Sequence, residues 1–176
     1  VPTVVVRAED GRLRAWANTC SHRASQIMVG DGNCSRMRCR FHFWTYGLDG
    51  RLLAAPSMGR TPGFDKADHS LTEFALAERE GFVFVSFEAD PVGIDTWLGD
   101  FSQLHAPWPV ESLVTSRRRE FTVDCNWKAF AEVFNEYYHL PYVHSASIDN
   151  IYNDPDDPED VDGSYATHFG TTEGTG

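Results

Sequence analysis

Two short pairs of metal-binding residues constrain this chain more than anything else in it: Cys20 with His22, then Cys39 with His42. Each spacing puts thiol and imidazole on the same side of a tight turn. Two readings are open from the residues alone. One is a tetrahedral Cys₂His₂ zinc site. The other is a [2Fe–2S] cluster with two thiolates on one iron and two imidazoles on the other. Zinc sites usually pair Cys with Cys and His with His along the chain, whereas here each pair holds one of each, so the spacing favours iron. Cysteines paired with histidines, rather than in a disulfide framework, point to a reducing compartment, expected to be the cytoplasm. Cys34 and Cys125 read as small apolar residues, with Cys125 placed to pack in a core.

The text around the pairs is strand-like. Residues 3–18 read as a hairpin with Asp10-Gly11 at its turn. Phe43 to Tyr46 and Arg51 to Leu53 read as a second, around Asp49-Gly50. Phe74 to Glu78 and Phe82 to Val85 read as a third, around Glu80-Gly81. Short strands and turns over about 85 residues suggest a small antiparallel β-domain.

Composition then changes. Ile94 to Leu98 reads as a short helix, Pro107 and Pro109 mark a connector, and Arg119 to Val123 reads as a strand. Asn126 to His139 is the clearest helix, with Asn126 as N-cap and Pro141 as the stop. Trp127, Phe130, Phe134 and Tyr137 recur at helical spacing. Glu132, Glu136 and His139 form a second stripe. With Phe134, Tyr137, Tyr138 and Tyr142 around that stripe, a wrapped polar site is expected. His139 and His144 lie five apart, so a turn after the helix is needed to bring them together. Two such His with a carboxylate make the facial triad of non-haem Fe(II) oxygenases. His69, His105 and His168 have no spaced partner and read as surface or structural histidines.

The formal charge is −11, from 26 carboxylates against 15 Lys and Arg. Residues 145–176 hold eight of the carboxylates and no Lys or Arg. Residues 153–163 read as a solvated loop that repels itself. Such acidity argues against a nucleic-acid partner, and no apolar run reaches the roughly 20 residues of a membrane span. Arg117 to Arg119 reads as a solvated strand end, with a receiving surface for an acidic redox partner as the alternative. The chain starts at Val1 without Met and is expected to be part of a longer protein.

At Cys20-Ser21-His22-Arg23-Ala24 and at Cys39-Arg40-Phe41-His42-Phe43-Trp44-Thr45-Tyr46, followed by Leu48-Asp49-Gly50, the sequence resembles the Rieske domain of ring-hydroxylating and related oxygenases. The cytochrome-complex branch carries an extra disulfide between the two loops, but Ser25 and Arg40-Phe41 occupy those regions here. One departure is Phe43, where the family usually has Gly, and it is expected to crowd the loop. Asn126-Trp127-Lys128 and the run from Asn135 to His144 resemble the mononuclear-iron motif of Rieske oxygenase α subunits.

The resemblance implies a fold of class α+β. Residues 1–90 would form an antiparallel β Rieske [2Fe–2S] domain, 91–109 a connector, and 110–176 the incomplete N-terminal part of a helix-on-sheet catalytic domain. Cys20, His22, Cys39 and His42 would hold the cluster, and His139 and His144 a mononuclear Fe(II). Glu136 matches the carboxylate that bridges a neighbouring subunit's Rieske histidine and an iron-binding His. Glu, rather than Asp, looks like the branch acting on carnitine, choline and betaine. The third iron ligand would be an Asp downstream, with no match in 145–176; Asp149 and Asp154 read as loop residues.

The implied activity is that of a terminal oxygenase, which uses O₂ to hydroxylate or demethylate an organic substrate, an aromatic compound or a quaternary amine. Its electrons would come from NAD(P)H through a reductase, with or without a ferredoxin, and its assembly would be a homotrimer. The alternatives are a Rieske-type electron carrier without catalysis of its own and a zinc-stabilised binding module.

Overall fold

Alternating apolar residues and three turn dipeptides build most of the N-terminal half. A computed structural model describes residues 1–136, 138–144 and 162–165. The backbone divides into two compact units, Val1–Val92 and Gly93–Gly176.

In the first unit, β1 (Thr3–Arg7) and β2 (Leu13–Ala17) pair antiparallel from Thr3↔Ala17 to Arg7↔Leu13. Their turn is closed by Asp10, whose carboxylate accepts from the Arg12 N–H at 3.1 Å and from Arg14 at 2.7 Å. The two-residue β3 (Met37–Arg38), with β4 (Thr45–Tyr46) and β5 (Leu52–Ala54), forms a separate three-stranded sheet. β6 (Glu73–Arg79) and β7 (Phe82–Ser86) form the third hairpin. β6 also pairs with β2 at Ala15↔Phe74, completing a four-stranded antiparallel sheet β1-β2-β6-β7.

The core of this unit is Trp16, Cys20, Ile27, Met37, Cys39, Trp44, Tyr46, Leu52 and Leu71. Gly50 shows how tightly it closes. Its φ is +76°, and a Cβ there would stand 2.6 Å from the Trp16 ring. Trp16 in turn donates its indole N–H to the Leu48 carbonyl at 3.1 Å. The buried Asn18 has its amide oxygen on the Ile27 and Met28 N–H groups and its amide nitrogen on the Met28 carbonyl. A buried polar side chain satisfied in this way costs little.

The second unit holds α1 (Ile94–Leu98), α2 (Phe101–Leu104), α3 (Trp127–Val133) and α4 (Leu140–Val143). Several expectations are corrected here. Residues 119–123 form no strand; no ladder partner lies beside them among the described residues, and Phe121 is 82% exposed. A strand without a partner gains nothing from extended geometry. The helix starting at Asn126 is real, with its side chain accepting from the Lys128 N–H at 2.9 Å, but it ends at Val133 rather than at His139. Pro141 begins a helix instead of stopping one: it lies in the first turn of α4, where its missing N–H is no loss.

The wrapped setting is also absent among the described residues. Phe134, Tyr138 and Tyr142 are exposed, and α3 buries no residue. Tyr137 lies outside the described residues. Cys34 and Cys125 are exposed rather than packed.

Most of the acidic segment lies outside the described residues, as do Asp149, Asp154 and His168. At its end, however, Asp162 is held by backbone and side chain rather than loose. Its carbonyl accepts from the Asp100 N–H at 2.8 Å, its N–H donates to the Asp100 carboxylate at 3.2 Å, and Tyr165 donates to that same carboxylate. The Tyr165 hydroxyl, followed by the Asp162 N–H, holds the Asp100 carboxyl below its ordinary range. No helix among the described residues is long and apolar enough to cross a membrane.

Candidate metal centres

The two Cys/His loops close in the same way. The first lies between β2 and β3, where the Ala24 N–H donates to the Cys20 carbonyl at 2.9 Å. The second lies between β3 and β4, where the Phe43 N–H donates to the Cys39 carbonyl at 3.1 Å. Ala24 and Phe43, each four residues past its cysteine, both adopt left-handed φ, +55° and +59°. This explains why glycine suits position 43, and it corrects the expectation of crowding. Phe43 tolerates a strained backbone while its ring points outward, with the Arg38 guanidinium 5.4 Å from its centroid.

These loops place sulfur inside and nitrogen outside. Cys20 and Cys39 are buried and free of disulfides. His22 is half-buried and His42 exposed, with their Nδ1 atoms 3.1 Å apart and the rings edge to face. His22 stacks on the buried Trp44, ring centroids 4.8 Å apart. The Tyr46 hydroxyl lies 3.2 Å from the Cys20 sulfur, 3.0 Å from the Ser21 hydroxyl, and accepts from the Ser21 N–H at 3.1 Å. Ser21 spends its own proton on the His69 carbonyl at 2.8 Å.

The electrostatics suit ligation. Burial pushes the Cys39 thiol up, but the Phe41 and His42 N–H groups, with Cys20 and Ser25, outweigh it and leave a net downward shift. A thiolate is the form that binds metal. Partial burial, then repulsion from His42 and Arg23, lowers the His22 imidazole and keeps it neutral, again the ligating form. Burial, reinforced by Cys20, pushes the Tyr46 phenol up to about 12, so it stays protonated and able to donate. The donor set therefore fits a two-iron group: two buried thiols and two imidazoles nearer the surface. A group of three such side chains gathered as if for one ion is not found among the described residues.

The second constellation is local. Between α3 and α4 the chain turns, and Glu136 folds onto His139. It accepts from the His139 N–H at 3.2 Å and from the imidazole Nδ1. Partial burial pushes the Glu136 carboxyl up, and the His139 side-chain and backbone hydrogen bonds outweigh it, giving a net lowering. His144, at the end of α4, brings its ring to 5.4 Å from that of His139. The turn needed to join the two histidines is thus present, made by the four-residue α4. With Nδ1 on Glu136, the His139 Nε2 is left for a metal. Glu132 stays on α3, and the helical stripe joining it to His139 does not form.

Sequence reasoning missed Tyr46, Trp44 and Ser21 as supporting groups. Trp44 and Tyr46 share a face as alternate residues, which was a usable signal. His69, read as a surface or structural histidine, stacks on Phe64 and meets the edge of Trp44. His105 is a satisfied structural histidine, with Nδ1 2.8 Å from the Phe101 carbonyl.

Buried thiols and rim imidazoles on paired loops of an antiparallel sheet define an iron–sulfur domain of Rieske type. Residues 1–67 match the Rieske [2Fe-2S] domain family, and residues 108–173 match the ring hydroxylating alpha subunit (catalytic domain). The glycine betaine monooxygenase oxygenase subunit of Chromohalobacter salexigens is 34% identical over 161 residues, covering 89% of this chain and 36% of that protein. The chloroplastic choline monooxygenase of Arabidopsis thaliana is 33% identical, covering 86% and 39%. The crystal structure of the quaternary ammonium Rieske monooxygenase CntA with L-carnitine superposes with a TM-score of 0.79 at 28% identity, covering 89% of this chain and 45% of that one.

This chain belongs to the Rieske non-haem iron oxygenase α-subunit family. It spans less than two-fifths of the length of those two curated relatives. The cofactors of its two parts are a [2Fe–2S] cluster and a mononuclear iron.

Proposed function

We propose that this chain carries the electron-relay portion of a terminal oxygenase. In this reading Cys20, His22, Cys39 and His42 hold the cluster, and His139 and His144 hold the mononuclear iron. When bound, those groups supply one-electron transfer and O₂ activation. The observation that carries the reading is the 3.1 Å approach of the His22 and His42 Nδ1 atoms from two loops that each bury a cysteine.

Each residue then has a task. Cys20 and Cys39 keep the anionic side of the site away from water. His22 and His42 offer edges at the surface through which an electron can leave. Trp44 fixes the His22 ring plane by stacking, and Tyr46 donates toward Cys20. Glu136 accepts the His139 Nδ1 proton and so fixes the tautomer that points Nε2 at the metal.

A quaternary ammonium substrate is favoured over an aromatic one, because betaine, choline and carnitine monooxygenases are among the proteins this chain resembles. The working enzyme would take electrons from NAD(P)H through a reductase, with or without a ferredoxin, in a homotrimer within a reducing compartment such as the cytoplasm. Against a Rieske carrier without its own catalysis stands the Glu136–His139–His144 grouping, which a carrier does not need.

The test is anaerobic purification followed by absorption, EPR and iron and sulfide assays. With the downstream Asp that the family resemblance implies, two sulfides and about three irons per chain are expected, falling to about two irons in the His139→Ala and His144→Ala variants. A colourless zinc protein would overturn the cluster, and unchanged iron content in both variants would overturn the second site.

A further inference from the structure

Beside the second cluster loop lies an open groove of about 580 Å³, lined in part by Arg36, Arg38, Arg40, Met28, Phe43 and Cys39 itself. The three exposed arginines alternate with the buried Met37 and Cys39, and all three line this one groove. Between residues 21 and 48, four arginines face a single carboxylate, Asp31. This basic surface stands out in a chain of net charge −11. Elsewhere in the same unit Arg7, Arg14 and Arg51 are each paired with a carboxylate. Arg36, Arg38 and Arg40 are exposed and make no ion pair among the described residues.

Next to them Phe41 and Phe43 are 59% and 55% exposed. Arginine and aromatic side chains together are the composition of a protein-docking centre. An enclosed pocket for a small anion would be walled in, and this groove is open.

We infer that this groove is the docking site of an acidic electron-donating protein, which delivers its electron to the cluster across the Cys39–Phe43 loop. The inference rests on the cluster reading above and names its partner surface. Electron transfer falls steeply with distance, and the buried Cys39 lies in the wall of this groove. Unpaired guanidinium groups around the port also steer an acidic partner toward it, an effect that speeds association by 10-fold to 10³-fold and weakens with salt. The step itself is balanced: one electron leaves the reduced donor, and the oxidised cluster gains it.

The experiment uses the cluster-loaded chain with a reduced, acidic plant-type [2Fe–2S] ferredoxin as probe. Cluster bleaching is followed by stopped flow at low and high ionic strength, with dithionite as a donor that needs no docking. Arg36→Glu/Arg38→Glu is expected to slow reduction by ferredoxin about tenfold at low salt and to flatten the salt dependence. Reduction by dithionite and the cluster spectrum stay as in the parent chain, and Arg36→Lys/Arg38→Lys recovers most of the rate.

An unchanged ferredoxin rate in the Glu variant, with its cluster intact, overturns the docking site. So does a change of oligomeric state without a change in ferredoxin rate, which would assign the groove to a second copy of the chain. If the parent chain binds no cluster, the cluster reading fails, and this inference falls with it.

Discussion

The Tyr46 hydroxyl stands 3.2 Å from the Cys20 sulfur, from a fully buried ring on β4. In the proposed cluster, with Cys20 ligating and the Ser21 hydroxyl committed to the His69 carbonyl, Tyr46 is the hydroxyl left to donate to the sulfur. A donor on a ligating sulfur favours the more electron-rich, reduced state. Tyr46→Phe is therefore expected to lower the cluster potential by about 50 mV, the one-electron equivalent of roughly 1.2 kcal/mol. Redox titration by EPR measures it. A potential equal to that of the parent chain would show that the hydroxyl does not act on the cluster.

Asp10 supplies a pH prediction. Its carboxyl is held well below the ordinary range, first by the side-chain hydrogen bond from Arg14 and then by the Arg12 N–H. A carboxyl with a depressed folded-state pKa contributes stability above its unfolded value near 4 and loses it as pH falls toward the folded value. The parent chain should therefore exceed Asp10→Asn in stability at neutral pH, and the two should converge as pH falls below about 4. Urea unfolding of both across pH 2–7 decides it. A gap that persists unchanged into acid would contradict the assignment.

Gly50 sets the register of the second hairpin against Trp16. Its φ of +76° disfavours any side chain, and a Cβ would meet three ring carbons within 2.8 Å. Left-handed strain costs about 1–2 kcal/mol and overpacking about 1–3 kcal/mol. Gly50→Ala is expected to destabilise the first unit by roughly 3 kcal/mol, read from the denaturant midpoint. Gly11, with φ of +80° and nothing within 4 Å, carries the strain alone, so Gly11→Ala should cost about 1–2 kcal/mol.

Local features were the legible ones. Each hairpin announced itself because its turn dipeptide and flanking strands are neighbours in sequence, and the two Cys/His pairs stood out because their spacing carries chemistry. The pairing of β2 with β6 was hidden, since Ala15 and Phe74 are far apart in sequence and no pattern names a strand's distant partner. β3 was hidden because two residues cannot show a period. The long helix failed for a different reason. Aromatic spacing continued past Val133, but the backbone turns at Phe134 and Asn135, and it is this turn that brings Glu136 against His139. At that point a regular helix would have kept His139 and His144 apart.

Glu136 bonds both the backbone N–H and the Nδ1 of His139, so it fixes the ring's place and its tautomer together. Outer-shell partners of this kind typically contribute 10–100-fold to metal affinity. Glu136→Ala should weaken Fe(II) binding at the mononuclear site by about that factor, while the cluster absorbance, which does not draw on Glu136, stays constant as an internal standard. Glu136→Gln keeps an oxygen acceptor for the Nδ1 proton and should lose only a few-fold. Anaerobic Fe(II) titration separates the three proteins. Equal affinity in the parent chain and Glu136→Ala would mean that His139 is oriented by something other than Glu136. A Gln variant as weak as the Ala variant would mean that the carboxylate's charge, rather than its hydrogen bond, does the work.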